Sequence, residues 1–364
     1  MRKSTVLGMA LGAAAVGAAA WIAADLRKSF GGEPDGDEMK RSPQFKDGIF
    51  HNVSPAHPIP VSESRSMIAE LLFGKQRREP SGPVPLAIPI TAPAPKGLHI
   101  TWYGHASSLV EIDGARVLLD PVWSERCSPS QLAGPRRLHP TPVSLQDVGP
   151  VDAVVISHDH YDHLDMRTIL TLTKSQASPF VVPLGVGAHL RKWGVPGSRI
   201  IELDWHEGVD IAGLRLTATP AQHFSGRLFT RNNTLWASWV IASKQHRVFY
   251  TGDSGYFDGY ATIGAEYGPF DATLVQIGAY NTAWPDIHMT PEEGVATHLD
   301  LNGGLMIPVH WATFKLAMHS WTEPADRLWR EAKARNITLA VPRPGERVDV
   351  SSPGEVDGWW QALA

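Results

Sequence analysis

"VDAVVISHDHYDHLD", residues 151–165, runs from apolar, largely β-branched side chains straight into three histidines and three aspartates. Its first half predicts a strand covered on both faces, since continuous hydrophobicity leaves no side for water. The ionisable half begins where that strand ends. Crowded polar groups at a buried strand end are costly unless they are paired with one another or with an ion. His158 and His160, two positions apart on a tight turn, can aim both rings at one metal ion, while Asp162 and His163 reach past it to a second.

The same event recurs along the chain. "LRLTATP" leads to His223, "RVFYTGD" to Asp253 and "LMIPVH" to His310, each from an apolar run into a potential ligand. Alone, His223 or His310 reads as an ordinary hydrogen-bonded histidine, and Asp253 in "TGDSG" as a turn residue. Beside the block at 158–163 they complete a set. Zinc takes three or four N/O ligands at about 2.0–2.2 Å. We assign His158, His160 and His223 to a first ion, Asp162, His163 and His310 to a second, and Asp253 to the bridge between them. Two ions roughly 3.5–4 Å apart lower the pKa of a shared water and clamp a displacement at phosphorus or carbon, so the expected reaction is hydrolysis. Iron or manganese suits the same donors.

The bulk properties agree with a globular enzyme. The chain has 364 residues, 43% hydrophobic and 19% charged, with a formal net charge of -4. That charge gives no global reason to expect a nucleic-acid partner. A single cysteine, Cys127, excludes an internal disulfide and a multi-thiolate zinc site. No G-x-S-x-G elbow is present, which disfavours a serine hydrolase.

Ahead of the strands, Arg2 and Lys3 precede an uncharged Ala- and Gly-rich run from Ser4 to Ala24. This reads as an export signal or membrane anchor over residues 1–28, placing the protein in a bacterial periplasm or cell envelope. Residues 29–97 then read as a linker, a short helix around Met67–Leu72 and a proline-rich extended arm. Residues 98–345 form the hydrolase domain, with strands split by the turn at Asp113-Gly114 and helices at about 166–175, 186–193, 290–300 and 323–335. Thr290-Pro291-Glu292-Glu293 is a capping box with proline at the first helical position. Residues 346–364 remain as a tail. The alternation makes an α/β sandwich.

H-x-H-x-D-H, a later lone His, a G-D at a strand end and a final His together resemble the metallo-β-lactamase superfamily. That resemblance implies an αββα sandwich with a binuclear site at one edge. More closely, "TWYGHASSLVEIDG", "LLDPVWSERCSPSQLAGPRR", "LDWHEG", "TPAQHFSGR", "LWASW", "GPFDATLVQIGAY" and "PEEGV", with the "FHN" at 50–52, are similar to the N-acyl-phosphatidylethanolamine phospholipase D family over about residues 48–345. In that family a zinc-bound hydroxide attacks the lipid phosphorus. The resemblance implies the seven ligands named above, with Asp162 and Asp253 tuning the water. It also implies a phospholipid substrate contacted by Tyr161 and by His288, which would orient the leaving group. Asp120 in "LLDP" is expected to hold a metal-ligating histidine; His105 in "YGHA" either does likewise or fills the core. Between Tyr280 and His288 the chain departs from the family. Its loop "NTAWPDI" is shorter and has Ala283 where relatives carry Arg. Two rival readings are a lactonase or other ester hydrolase on the same metals, and a metal-stabilised binding protein without turnover. The oligomeric state is not legible.

Overall fold

A computed structural model describes residues 25–55, 74–94, 96–227 and 230–364. Two short strands, β1 (Phe45–Lys46) and β2 (Ile49–Phe50), pair as a hairpin after the one-turn helix α1 (Gly36–Met39). Seven strands form the first sheet: β3 (Leu98–Gly104), β4 (Ser107–Ile112), β5 (Ala115–Leu119), β6 (Ala153–Val155), β7 (Phe180–Pro183), β8 (Ile200–Leu203) and β16 (Arg347–Asp349). The second sheet has β9 (Gly208–Ile211), β10 (Leu214–Thr219), β11 (Ser238–Ala242), β12 (Arg247–Tyr250), β13 (Phe270–Gln276), β14 (Gly303–Val309) and β15 (Thr338–Leu339).

The period of two in a strand sorts the side chains. In the first sheet Val117, Leu119, Ala153, Val155 and Val181 face a core shared with Leu216, Trp239 and Leu274 of the second. Their neighbours Leu118, Val154, Ile156 and Val182 face the other way, onto Ile169 and Leu172 of α2 (Met166–Ser175) and Leu190 of α3 (Gly187–Trp193). Burial on both faces is what the uninterrupted "DAVVI" requires. Each valine, leucine or isoleucine among them contributes about 1.5–3 kcal/mol when fully buried. The helices α4 (Gly259–Tyr267), α5 (Pro291–Asp300) and α6 (Glu323–Ala334) flank the second sheet and complete an αββα sandwich.

Strand direction places the site. β3, β5 and β6 run the same way in one sheet, and β10, β12 and β14 do so in the other. Their carboxyl ends carry His105, Asp120, His158, His223, Asp253 and His310. Ligand sites of α/β sheets form at such carboxyl ends.

Several expectations need correction. The tail at 346–364 belongs to the fold, because β16 pairs with β3 and Trp359 and Trp360 are buried against Trp311. The stretch read as a linker is packed down as well: Met39 and Phe50 lie in the core, and Ser29 and Ser42 are buried. The proline arm has no helix or strand among its described residues, as expected. It is pinned where Ala94 N–H donates to Glu111 and Arg347 donates to the Ile90 and Ala92 carbonyls. The export or anchor run and the short helix around Met67–Leu72 lie outside the described residues, apart from the stub after Ala24. Among the described residues no helix is long and apolar enough to cross a membrane.

Candidate metal centre

The three histidines and three aspartates between positions 158 and 165 each have a distinct place. Asp165 caps α2, accepting hydrogen bonds from the Arg167 and Thr168 backbone N–H groups. Asp159 turns away from the cluster to pair with His189 Nε2 at 3.1 Å and to accept the Gly226 N–H at 2.7 Å. The other four converge on the sheet edge.

Two groups of ligand atoms form there. In the first, His160 Nδ1 lies 2.8 Å from His158 Nε2 and 3.3 Å from His223 Nε2. In the second, Asp162 Oδ2 lies 3.2 Å from His310 Nε2 and 3.6 Å from His163 Nε2. Asp253 Oδ2 stands between the groups. It is 3.0 Å from His310, 3.1 Å from His163, 3.8 Å from His288, and 3.9 Å from both His158 and His223, measured to Nε2 in each case. His105 enters the second group, with Nε2 2.8 Å from Asp162 Oδ2 and its ring 4.0 Å from that of His310. In the sequence His105 suits a supporting role or the core equally. Its position beside Asp162 was not legible because 57 residues separate them.

Neighbouring groups fix the rings. Buried Asp120 accepts from Ser157 N–H at 2.7 Å, Ser157 Oγ–H at 2.5 Å and Tyr250 Oη–H at 2.5 Å, and it lies 2.7 Å from His163 Nδ1. With Nδ1 turned to Asp120, His163 directs Nε2 at the cluster, where a metal would displace its proton and take the lone pair. His223 Nδ1 is likewise 2.9 Å from the Ile287 carbonyl, leaving Nε2 for the cluster. Asp120 and His310 sit at positive φ, 35° and 63°, a backbone state sustained only where surrounding contacts over-determine it.

The electrostatics are those of a site built around positive charge. Burial pushes the His158, His160 and His223 imidazoles below their usual pKa, so they are neutral and able to ligate. Burial acts the same way on His163 and His310. Here Asp253 and Asp162 outweigh it and lift His163 well above the usual value and His310 to about 8. Burial alone would raise Asp162 and Asp253, yet the facing histidines hold both well below the usual carboxylate range. Asp253 Oδ1 and His163 Nε2 are buried with no hydrogen-bond partner. An N/O donor set with such orphaned atoms fits metal ions in both groups.

The remaining predicted residues lie beside the cluster, His288 grouping with His223 and Asp253. His288 is half-buried with Nδ1 unpartnered, and burial lowers its pKa to about 4. Tyr161 packs under the Arg227 guanidinium at 4.0 Å, and its hydroxyl also lacks a partner. Ala283, in the shortened loop, is buried.

Residues 115–311 match the family described as beta-lactamase superfamily domain. The chain is 52% identical over 328 residues to an uncharacterised protein of Mycobacterium tuberculosis, covering 88% of each. It is 36% identical over 256 residues to N-acyl-phosphatidylethanolamine-hydrolyzing phospholipase D 1 of Caenorhabditis elegans, covering 66% of this chain and 71% of that one. Among solved structures, Igni18, a metallo hydrolase from Ignicoccus hospitalis, shares the fold with a TM-score of 0.54 at 22% identity, covering 69% of this chain and 97% of that one. An αββα sandwich with this histidine and aspartate cluster at its edge defines a metal-dependent hydrolase. The chain belongs to the metallo-β-lactamase superfamily and, within it, to the N-acyl-phosphatidylethanolamine-hydrolysing phospholipase D-like family.

Proposed function

We propose that this protein is a zinc-dependent phosphodiester hydrolase of phospholipase D type, acting on N-acyl-phosphatidylethanolamine or a related phospholipid. The observation that carries the reading is the place of Asp253, whose Oδ2 lies within 3.9 Å of ring nitrogens from both histidine groups. His158, His160 and His223 would hold one ion; Asp162, His163 and His310 would hold the other, with Asp253 shared. Two zinc ions, when bound, supply Lewis acidity and a water of lowered pKa.

The chain's own groups do the rest. Asp253 and Asp162, both ionised, set the negative charge facing the ions and so tune the water. His288, kept neutral by burial, turns Nε2 towards Asp253 and would orient the leaving oxygen from there. Tyr161, inside the histidine block and packed under Arg227, would contact the polar end of the departing group. The family supports a phospholipid substrate, because the C. elegans relative carries that activity in its name. The uncharged run ahead of Asp25 would export the chain or anchor it in the cell envelope, next to such a substrate.

The test sets bis-p-nitrophenyl phosphate beside an N-acyl-phosphatidylethanolamine, with His160→Ala as control. Release of N-acylethanolamine that disappears in the variant supports the proposal in full. Cleavage of the aryl phosphate alone rejects the lipid. Cleavage of lactones or aryl esters in place of either moves the site to carbon-centred chemistry.

A further inference from the structure

Residues 25–55, polar enough to read as a linker, lie against the two loops that carry the first group of histidines. Asn52 makes the closest approach. Its Nδ2 donates to the His223 carbonyl at 2.8 Å, while its Oδ1 accepts the His223 N–H at 3.0 Å and Trp236 Nε1–H at 2.9 Å. The side-chain amide thus pairs with one backbone residue as a neighbouring strand would. Two N–H donors meeting Oδ1 leave only this orientation of the amide, since the flipped one would set donors against donors. His223 follows the end of β10, where the sheet no longer supplies partners for its backbone, and the residue is buried. Asn52 therefore satisfies groups that would otherwise be orphaned.

The surroundings hold Asn52 in place. Phe50 is wholly buried and its N–H donates to the Asn232 carbonyl at 2.7 Å; Gln222 Nε2 donates to the Ser54 carbonyl at 2.7 Å. At the other end of the segment the Ser29 carbonyl accepts from Arg227 Nε and Nη2 at 3.1 and 2.8 Å. Arg227 Nη1 in turn donates to the Asp159 and Leu164 carbonyls of the histidine loop, at 2.6 and 2.9 Å. One segment fastens both loops.

We infer that Asn52 is a positioning residue for the metal centre: by clamping the His223 backbone it sets His223 Nε2 against His158 and His160. With Nδ1 fixed by the Ile287 carbonyl, the ring then has one free nitrogen and one direction. Asn52 acts on the first group only, because His163 in the second is held separately by Asp120. This rests on the metal reading of the site proposed above.

The test measures zinc affinity of the full chain by chelator competition, the visible spectrum of the cobalt-substituted protein, and thermal unfolding, for the unaltered chain, Asn52→Ala and Asn52→Asp. Asn52→Asp keeps the volume and both accepted hydrogen bonds but sets a charged oxygen against the His223 carbonyl in place of the donor, so it breaks the clamp without opening a cavity. The expected result is one site weakened by about tenfold to a hundredfold in both variants, with altered cobalt bands from that site and the other unchanged. Folded variants that bind both ions as the unaltered chain does would overturn the inference while leaving the metal centre intact. An unaltered chain that binds no metal would overturn both. If Asn52→Ala does not fold, Asn52→Asp decides.

Discussion

Asp120 Oδ2 lies 2.7 Å from His163 Nδ1, wholly buried and shared with the Ser157 and Tyr250 hydroxyls. The carboxylate fixes the tautomer of a histidine it does not accompany into the cluster. Asp120→Asn replaces an acceptor by an amide whose NH2 can face three donors. We expect metal affinity of the second group to fall by about 10–100-fold, read by chelator competition, with a smaller effect on the first. An unchanged affinity would mean that His163 is oriented by packing alone.

Asp253 is the only carboxylate within 4 Å of ring nitrogens from both groups among the described residues. Asp253→Asn should therefore weaken both metals, unlike a change at His160 or His310. Metal content after dialysis would show it directly, together with a loss of turnover of at least about a hundredfold. Loss of one ion with the other retained at full affinity would remove Asp253 from the bridge.

His310 couples metal binding to pH. Asp253 and Asp162 lift its pKa from 6.5 to about 8 against the opposing effect of burial. A proton sits there in the metal-free chain at neutral pH, and a metal must displace it. Apparent affinity of the second group should rise with pH through about 8, with proton release on binding below that point, and His163, lifted in the same direction by Asp253 and Asp162, adds to that release. For the metal-free fold the sign is the reverse. The stability from protonated His310 is fully present below 6.5 and lost as pH rises through about 8. Calorimetric titrations in buffers of different ionisation enthalpy measure the released protons, and finding none below that pH would contradict the assignment.

Trp360 is wholly buried, packs edge-on to Trp311 at 5.9 Å and donates from Nε1 to Asp326 at 2.9 Å. Trp311 immediately follows His310. Trp360→Ala should cost about 3–5 kcal/mol in denaturant unfolding and loosen the residue next to a ligand. A loss near zero would make the final residues the tail that their position suggested.

Legibility in the sequence followed the range of the interactions. The covered strand before His158, the turn at Asp113-Gly114 and the capping box at Thr290 are local and could be read directly. Helix α4 could not. It holds Gly259 and Gly264, has no side-chain cap, and lacks a clear apolar stripe. The ligand residues announced themselves by repeating one local event at several strand ends. Their supports did not, because Asn52 reaches His223 across 171 residues from a stretch whose composition resembles a linker. Likewise nothing near Ser29 in the chain points to Arg227, which is 198 residues away.

The most direct measurement titrates zinc into the metal-free chain and follows turnover of bis-p-nitrophenyl phosphate. A site of two groups bridged by Asp253 predicts a rate that climbs to a plateau at two equivalents and vanishes in Asp253→Asn. A plateau at one equivalent, or two bound ions with no turnover of any phosphodiester, would contradict a binuclear phosphodiester hydrolase.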